Sequence, residues 1–199
     1  MLSSSQSEQK AATGMGNLVV ISGPSGTGKT SICNLLLERL PNAVWSVSAT
    51  TRPLRGSEAE GSSYEYIDPE DFDRRRTNGE FLESAEYCGH WYGTPAAPVK
   101  RWVADGKIVI TEIDVQGGVQ IAKQMPDSCR IFVLPPDFES LKARLEGRKT
   151  ESADIMARRL QKADGEIAIA RDSGCYQHFV TNDVLDDTVD EIIGIITKR

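Results

Sequence analysis

The segment with the sharpest chemical meaning is Gly23-Pro24-Ser25-Gly26-Thr27-Gly28-Lys29-Thr30, which satisfies Gly-x-x-x-x-Gly-Lys-Ser/Thr. Glycines in a tight turn let successive backbone N–H groups converge on anionic oxygens, and a following helix points its N-terminus at the same place. Lys29 then offers a mobile cation to the β- and γ-phosphates, and the Thr30 hydroxyl is a hard oxygen ligand for magnesium. An ATP site built from Gly23, Pro24, Ser25, Gly26, Thr27, Gly28, Lys29 and Thr30 is the expectation. The same cradle serves motors, switches, kinases and ATPases, so the acceptor must be read from other residues.

The elements that have to position this loop are legible on either side of it. Leu18-Val19-Val20-Ile21 reads as a strand buried on both faces, and Thr30 to Leu40 as a helix with Ile32, Leu35, Leu36 and Leu40 on one face and Pro41 as its stop. Further strands are expected at Ala43–Val47, Lys107–Thr111, Arg130–Leu134 and His178–Thr181, with helical stretches between the later ones, which is the pattern of parallel βαβ units. Residues 48–94 change texture. Tyr64-Glu65-Tyr66, Phe81-Leu82-Glu83, Tyr87 and Trp91-Tyr92 alternate aromatic and polar residues around a short helix begun by Asp68-Pro69, which reads as a small mixed β insertion. Residues 137–171 form two helical segments, with Leu141 and Leu145 on the first and Ile155, Leu160, Ile167 and Ile169 on the second, joined by the charged stretch 146–152.

The expected fold class is therefore α/β, a P-loop core with a parallel sheet flanked by helices, plus the mixed insertion and a helical segment. Residues 1–16 are Ser/Gln/Gly-rich without periodicity and read as a disordered tail before a single domain, 17–199.

Composition limits the function classes. The 199 residues are 39% hydrophobic and 26% charged, ordinary for a globular chain, and 23 Lys+Arg against 29 Asp+Glu leave a net charge of -6. That balance argues against nucleic acid or an anionic membrane as a partner. Cys33, Cys88, Cys129 and Cys175 have no C-x-x-C spacing and only His90 and His178 as imidazole partners, which makes no zinc site. No apolar run reaches the ~20 residues of a membrane span and no secretory h-region precedes the fold, so the cytoplasm is the expected location.

The acceptor is read from Ser46-Val-Ser48-Ala-Thr-Thr-Arg52-Pro-Leu-Arg55, followed by Glu58, Gly61 and Tyr64. Two arginines three apart on a loop suit a phosphate clamp, because each guanidinium engages two oxygens in fixed planar geometry. Together with Phe81-Leu-Glu83, Tyr92-Gly93-Thr94, Ile113-Asp114-Val-Gln116-Gly117 and Arg144-Leu-Glu-Gly-Arg148, this series resembles the guanylate kinases, from about Asn17 to the C-terminus.

The resemblance implies magnesium-dependent transfer of the ATP γ-phosphoryl group to GMP. It implies that residues 48–94 are the GMP-binding insertion, 137–171 the lid with its adjoining helices, and 17–47, 95–136 and 172–199 the core. It places Arg52, Arg55, Tyr64 and Tyr92 on the GMP phosphate and Ser48, Glu83 and Thr94 on the guanine; Glu112 and Asp114, at the carboxyl end of the expected strand Lys107–Thr111 where a doubly wound sheet faces its ligand crevice, are expected to bind GMP as well. Lys29, Arg52, Arg144, Arg148 and Arg159 become the catalytic cations, and Asn182 lies near the adenine. Bottom-up chemistry agrees for Glu83: guanine N1–H and N2–H2 are adjacent donors for one carboxylate, whereas adenine presents an acceptor at N1. Leu54, Ser57, Glu112 and Lys149 depart from the family's usual Pro, Gly, Asp and Gly.

Blander assignments exist. Arg144, Arg148, Arg158 and Arg159 suit a solvated helix face paired with Glu139, Glu146, Glu151 and Asp154, and the run Asp68 to Arg76 suits an exposed helix with acids first and bases last. His90, His178, Trp45 and Trp102 read as structural. Two rival functions carry different expectations: a non-catalytic interaction module should have a damaged cradle, and a P-loop kinase for another acceptor should not discriminate through Glu83.

Overall fold

The apolar run that follows Gly16 seeds the molecule. In the computed structural model, which describes residues 16–54, 64–87, 89–146 and 153–198 (153–158 as backbone alone), Leu18, Val19, Val20 and Ile21 are 0% exposed. The chain runs β1 (Asn17–Ser22), α1 (Lys29–Arg39), β2 (Ala43–Trp45), β3 (Ala49–Thr50), β4 (Glu65–Tyr66), α2 (Pro69–Thr77), β5 (Phe81–Tyr87) and β6 (His90–Pro95). It continues α3 (Ala96–Ala104), β7 (Ile108–Glu112), α4 (Val115–Gln124), β8 (Cys129–Leu134), α5 (Phe138–Glu146), α6 (Ala153–Asp172), β9 (His178–Thr181) and α7 (Leu185–Thr197).

Five strands make an all-parallel sheet in the order β2-β7-β1-β8-β9, with Val20 opposite both Thr111 and Arg130. Alternate residues of β1 feed different layers. Val19 and Ile21 pack with Ile32, Leu36, Val189 and Ile192 under α1 and α7, while Leu18 and Val20 pack with Val99 and Ile121 under α3 and α4. Burial on both faces is why these strands read as unbroken apolar runs. Trp45 and Trp102 pack against these two layers.

A second, four-stranded sheet in the order β4-β3-β6-β5 is mixed, β3 and β4 being parallel and the other pairs antiparallel. Its apolar content is small: Ala49, Phe72 and Phe81 with Ile67 and Trp91 beside them. Phe72 stacks on Phe81 with ring centres 4.7 Å apart. Helix α2 is held by its sequence: Asp68 caps it by accepting from the Asp71 amide at 2.7 Å, and Arg75 bridges to Asp71 and Glu65 at 2.8 Å each.

The α/β expectation stands, with local corrections. The helix after the cradle begins at Lys29 and ends at Arg39, and the strand expected to reach Val47 ends at Trp45, although the Ser46 amide still donates to Ile110 O at 2.8 Å. The chain leaves the large sheet there to enter the small one. Leu141, Leu145 and Leu160 join one cluster with Ala163, and Ile167 joins another, but Ile169 is 40% exposed because it points away from both. Residues 1–15, Arg55, Ser57, Glu58, Gly61, Cys88, Arg148 and Lys149 lie outside the described residues. Cys33, Cys129 and Cys175 are free thiols, and no described helix is long and apolar enough to cross a membrane.

Candidate active site between the two sheets

The cradle sits at the carboxyl edge of β1, where a parallel sheet presents its ligand crevice. Gly28 is the N-cap of α1 at φ +86, and a Cβ there would meet Asn182 Nδ2 at 2.4 Å, so both its conformation and its neighbour require glycine. That neighbour is fixed: Asn182 is buried, donates through Nδ2 to Thr27 O at 2.7 Å and accepts from Thr188 Oγ1 at 3.2 Å. Lys29 Nζ donates to Pro24 O at 2.9 Å, as does Thr27 Oγ1 at the same distance. The ammonium therefore folds back over its own loop.

Thr30 Oγ1 donates to Glu112 Oε2 at 2.9 Å. Glu112 ends β7 and touches the phosphate side of the crevice, next to the cradle. This hydroxyl–carboxylate pair is an all-oxygen donor set of the kind a hard divalent cation takes, and it fits magnesium. Among the described residues no group of three or more His, Cys, Asp or Glu could hold a metal.

Two arginines from α5 and α6 reach toward the cradle end of the cleft. Arg159 Nη1 donates to Ser25 Oγ at 3.3 Å, and Arg144 reaches Asn182 O at 2.9 Å and Asp183 O at 3.4 Å. The first contact ties α6 to the cradle, and the second ties α5 to the segment that follows β9. The side chain of Arg158 is not among those described.

Opposite the cradle, on β5, Glu83 is 6% exposed and accepts from Thr94 Oγ1 at 2.6 Å. Burial pushes its carboxyl up to about 7, with Asp114 adding to the rise and the Thr94 hydroxyl opposing it. Helix α4 closes against it: a Cβ on Gly117 would lie 2.9 Å from Glu83 Oε2, and one on Gly118 1.9 Å from the Tyr176 hydroxyl. Asp114 caps α4 by accepting from the Gly117 amide at 2.8 Å. Arg52 is also 6% exposed; its guanidinium lies over Tyr64 at 5.4 Å and Tyr66 at 5.9 Å, and Tyr64 meets Tyr92 edge-on at 5.7 Å. The buried guanidinium is thus held among tyrosine rings, and its Nη1 donates to Pro53 O at 3.0 Å.

A cleft of about 340 Å³ joins these groups, lined on the cradle side by Gly23, Ser25, Lys29 and Glu112 and on the other by Ser48, Tyr64, Glu83, Tyr92 and Asp114. Thr94 and Arg52 lie directly behind that lining, while Asn182, Arg144 and Arg159 flank the cradle. The structure also brings Lys162 and Glu166 of α6 to the cleft wall, which the sequence reading did not anticipate. Their signal was available: residues 159, 162 and 166 share one helix face.

A P-loop on a parallel sheet, facing across one cleft a small mixed sheet that carries a buried carboxylate and a buried arginine, is the architecture of a P-loop nucleoside monophosphate kinase. Comparison with known proteins narrows the class. The family model described as guanylate kinase matches residues 15–199. The chain is 46% identical over 155 residues to the guanylate kinase of Nostoc sp. (strain PCC 7120), covering 78% of each, and 42% identical to that of Synechocystis sp. (strain PCC 6803), covering 92% of this chain and 95% of that one. The crystal structure of guanylate kinase from Anaplasma phagocytophilum superposes with a TM-score of 0.74 at 33% identity, covering 92% of this chain and 86% of that one. This chain belongs to the guanylate kinase family and is a kinase of nucleoside monophosphates.

Proposed function

We propose that the chain transfers the ATP γ-phosphoryl group to a phosphate oxygen of GMP with magnesium, releasing ADP and GDP. The observation that carries the reading is the placing of a buried carboxylate, Glu83, across one cleft from an intact cradle.

The residue roles follow from chemistry. Gly23 to Thr30 hold the ATP phosphates, Asn182 stiffens the loop beside the adenine end, and Thr30 with Glu112 would hold magnesium. When bound, that ion neutralises charge on the β- and γ-phosphates. Ionised Glu83 accepts guanine N1–H and N2–H, with Ser48, Thr94 and Asp114 around the base. Arg52, Arg55, Tyr64 and Tyr92 hold the GMP phosphate. Its oxygen is already ionised near neutral pH, so no side chain must remove a proton: the new P–O bond forms as the β–γ bridging bond breaks, and the electron pair leaves with ADP. Lys29, Arg144, Arg148 and Arg159 supply positive charge where it is needed.

The division of labour follows the sheets: residues 48–94 as the GMP-binding unit, 137–171 as the lid with its adjoining helices, and 17–47, 95–136 and 172–199 as the core. Bringing them together excludes water from the γ-phosphate. The net charge of -6 supports small nucleotides rather than nucleic acid as partners, and a reaction on ATP and GMP is in keeping with a cytoplasmic location.

The test is a coupled ADP assay with GMP, dGMP, AMP and UMP as acceptors. Turnover with GMP and at most ~1% of that rate with AMP is expected. Equal rates with AMP would refute the role of Glu83, and GMP binding without turnover would make the chain an interaction module.

A further inference from the structure

One wall of the cleft has no part in the roles above. Lys162 and Glu166 line it from α6, one helical turn apart. Lys162 Nζ lies 3.5 Å from Glu166 Oε1 and 4.6 Å from the centre of the Tyr87 ring. Tyr87 ends β5, the edge strand of the mixed sheet, so a single ammonium joins the acceptor sheet to the helix that carries Arg159.

The asymmetry of burial shows how the contact works. The Glu166 side chain is 12% exposed and fixed in the wall, whereas Lys162 is 52% exposed. The carboxylate holds the ammonium over the cleft, and the electron-rich ring face attracts it from the other side. The ring contact exists only while the sheet and α6 are close. Separation would return Tyr87 and Lys162 to water and leave the Lys162–Glu166 pair within one helix.

We propose that Tyr87, Lys162 and Glu166 form a clasp between the acceptor sheet and α6, with Lys162 as a positioning residue that favours the approach of the two substrate sites. The proposal rests on the reading of the mixed sheet as the GMP site. An exposed cation–ring contact of this kind is a modest bias, and the expected effect is ~2- to 5-fold. It should raise the KM for GMP and leave the KM for ATP and the melting temperature in place.

The experiment compares the full chain with Lys162→Met, Tyr87→Leu, the double variant and Lys162→Arg. Steady-state kinetics are combined with amide hydrogen exchange at Glu86, Tyr87 and His90 without nucleotide. Both single variants should raise the KM for GMP by the same ~2- to 5-fold and speed exchange at these amides. The double variant should add nothing further, and Lys162→Arg should restore wild-type behaviour because a guanidinium also stacks on the ring.

An effect of Lys162→Met that Tyr87→Leu does not reproduce would mean that the lysine touches substrate directly, and the clasp would be wrong. Additive effects, or exchange and KM unchanged in both single variants, would overturn it as well. Because the exchange measurement needs no nucleotide, it decides the clasp even if the wild-type chain shows no turnover with GMP; that failure would fall on the functional reading alone.

Discussion

The two sheets face one cleft but are held together by different physics. The parallel sheet is sandwiched between two apolar layers, and it faces the cleft mainly with backbone: a loop whose shape depends on Gly28 and on the buried Asn182. The mixed sheet has a small apolar patch, and it faces the cleft with side chains: Glu83 on Thr94, and Arg52 among tyrosines. Backbone amides recognise any polyphosphate, so the donor side is generic. Side chains carry distinct donor and acceptor patterns, so in the proposed reading selectivity belongs to the acceptor side.

Breaking the donor side should therefore stop the reaction whatever the acceptor. Lys29→Ala is expected to lower kcat by ~10^3 with GMP while leaving GMP binding and the melting temperature near wild type, as steady-state kinetics, calorimetric titration and thermal melts would show. Near-normal turnover would remove the cradle from the mechanism.

Breaking the acceptor side should change the choice of substrate. Glu83→Gln is expected to reduce the GMP-to-AMP ratio of kcat/KM by ~10^2 with little change in ATP affinity, since an amide at this position no longer matches both guanine donors.

The same residue gives the comparison a pH signature. Burial raises the Glu83 carboxyl to about 7, and only its ionised form accepts both guanine protons. Below pH 7 the kcat/KM for GMP should fall by about tenfold per unit, a slope that Glu83→Gln abolishes. The stability sign is the opposite of the usual acid: the folded chain binds this proton more tightly than the unfolded one, whose pKa is the ordinary 4.5, so ionised Glu83 costs stability as pH rises from about 4.5 through 7. Ligand-free Glu83→Gln should melt higher than wild type at pH 8 and close to it at pH 4.

The smallest effect on the reaction should come from the packing behind α4 on the parallel-sheet side. Gly118→Ala places a Cβ 1.9 Å from the Tyr176 hydroxyl, an overpacking of ~1–3 kcal/mol that should lower the melting temperature by roughly 3–10 °C. Activity at low temperature should survive, because Tyr176 touches α4 from behind the cleft, donating to Val115 O at 3.3 Å.

What was legible in the sequence was local. The cradle occupies eight consecutive residues after a strand with an apolar centre, Leu18 to Ile21, and leads into a helix, so its geometry is written in its own glycines. The Asp68 cap and the acids and bases of α2 are similarly contiguous. The roles given to Glu83, Tyr64 and Tyr92 came from a series of spaced motifs, not from periodicity, which assigns those aromatics to a sheet face. Lys162 and Glu166 went unnoticed because the apolar positions of α6 dominated its pattern, and Ile169 was expected inside for the same reason.

By itself, then, the order of residues determined the P-loop, the alternation of parallel strands and helices, and the presence of a polar-aromatic insertion, because each depends on neighbours within one element. Only the tertiary structure decided that Asn182 would brace Thr27, that Thr30 would meet Glu112, and that Glu83 would lie buried against Gly117. Those contacts join residues far apart in the chain. Their energies, and the upward shift of Glu83 above all, come from the exclusion of water when two sheets and α4 close around the same volume.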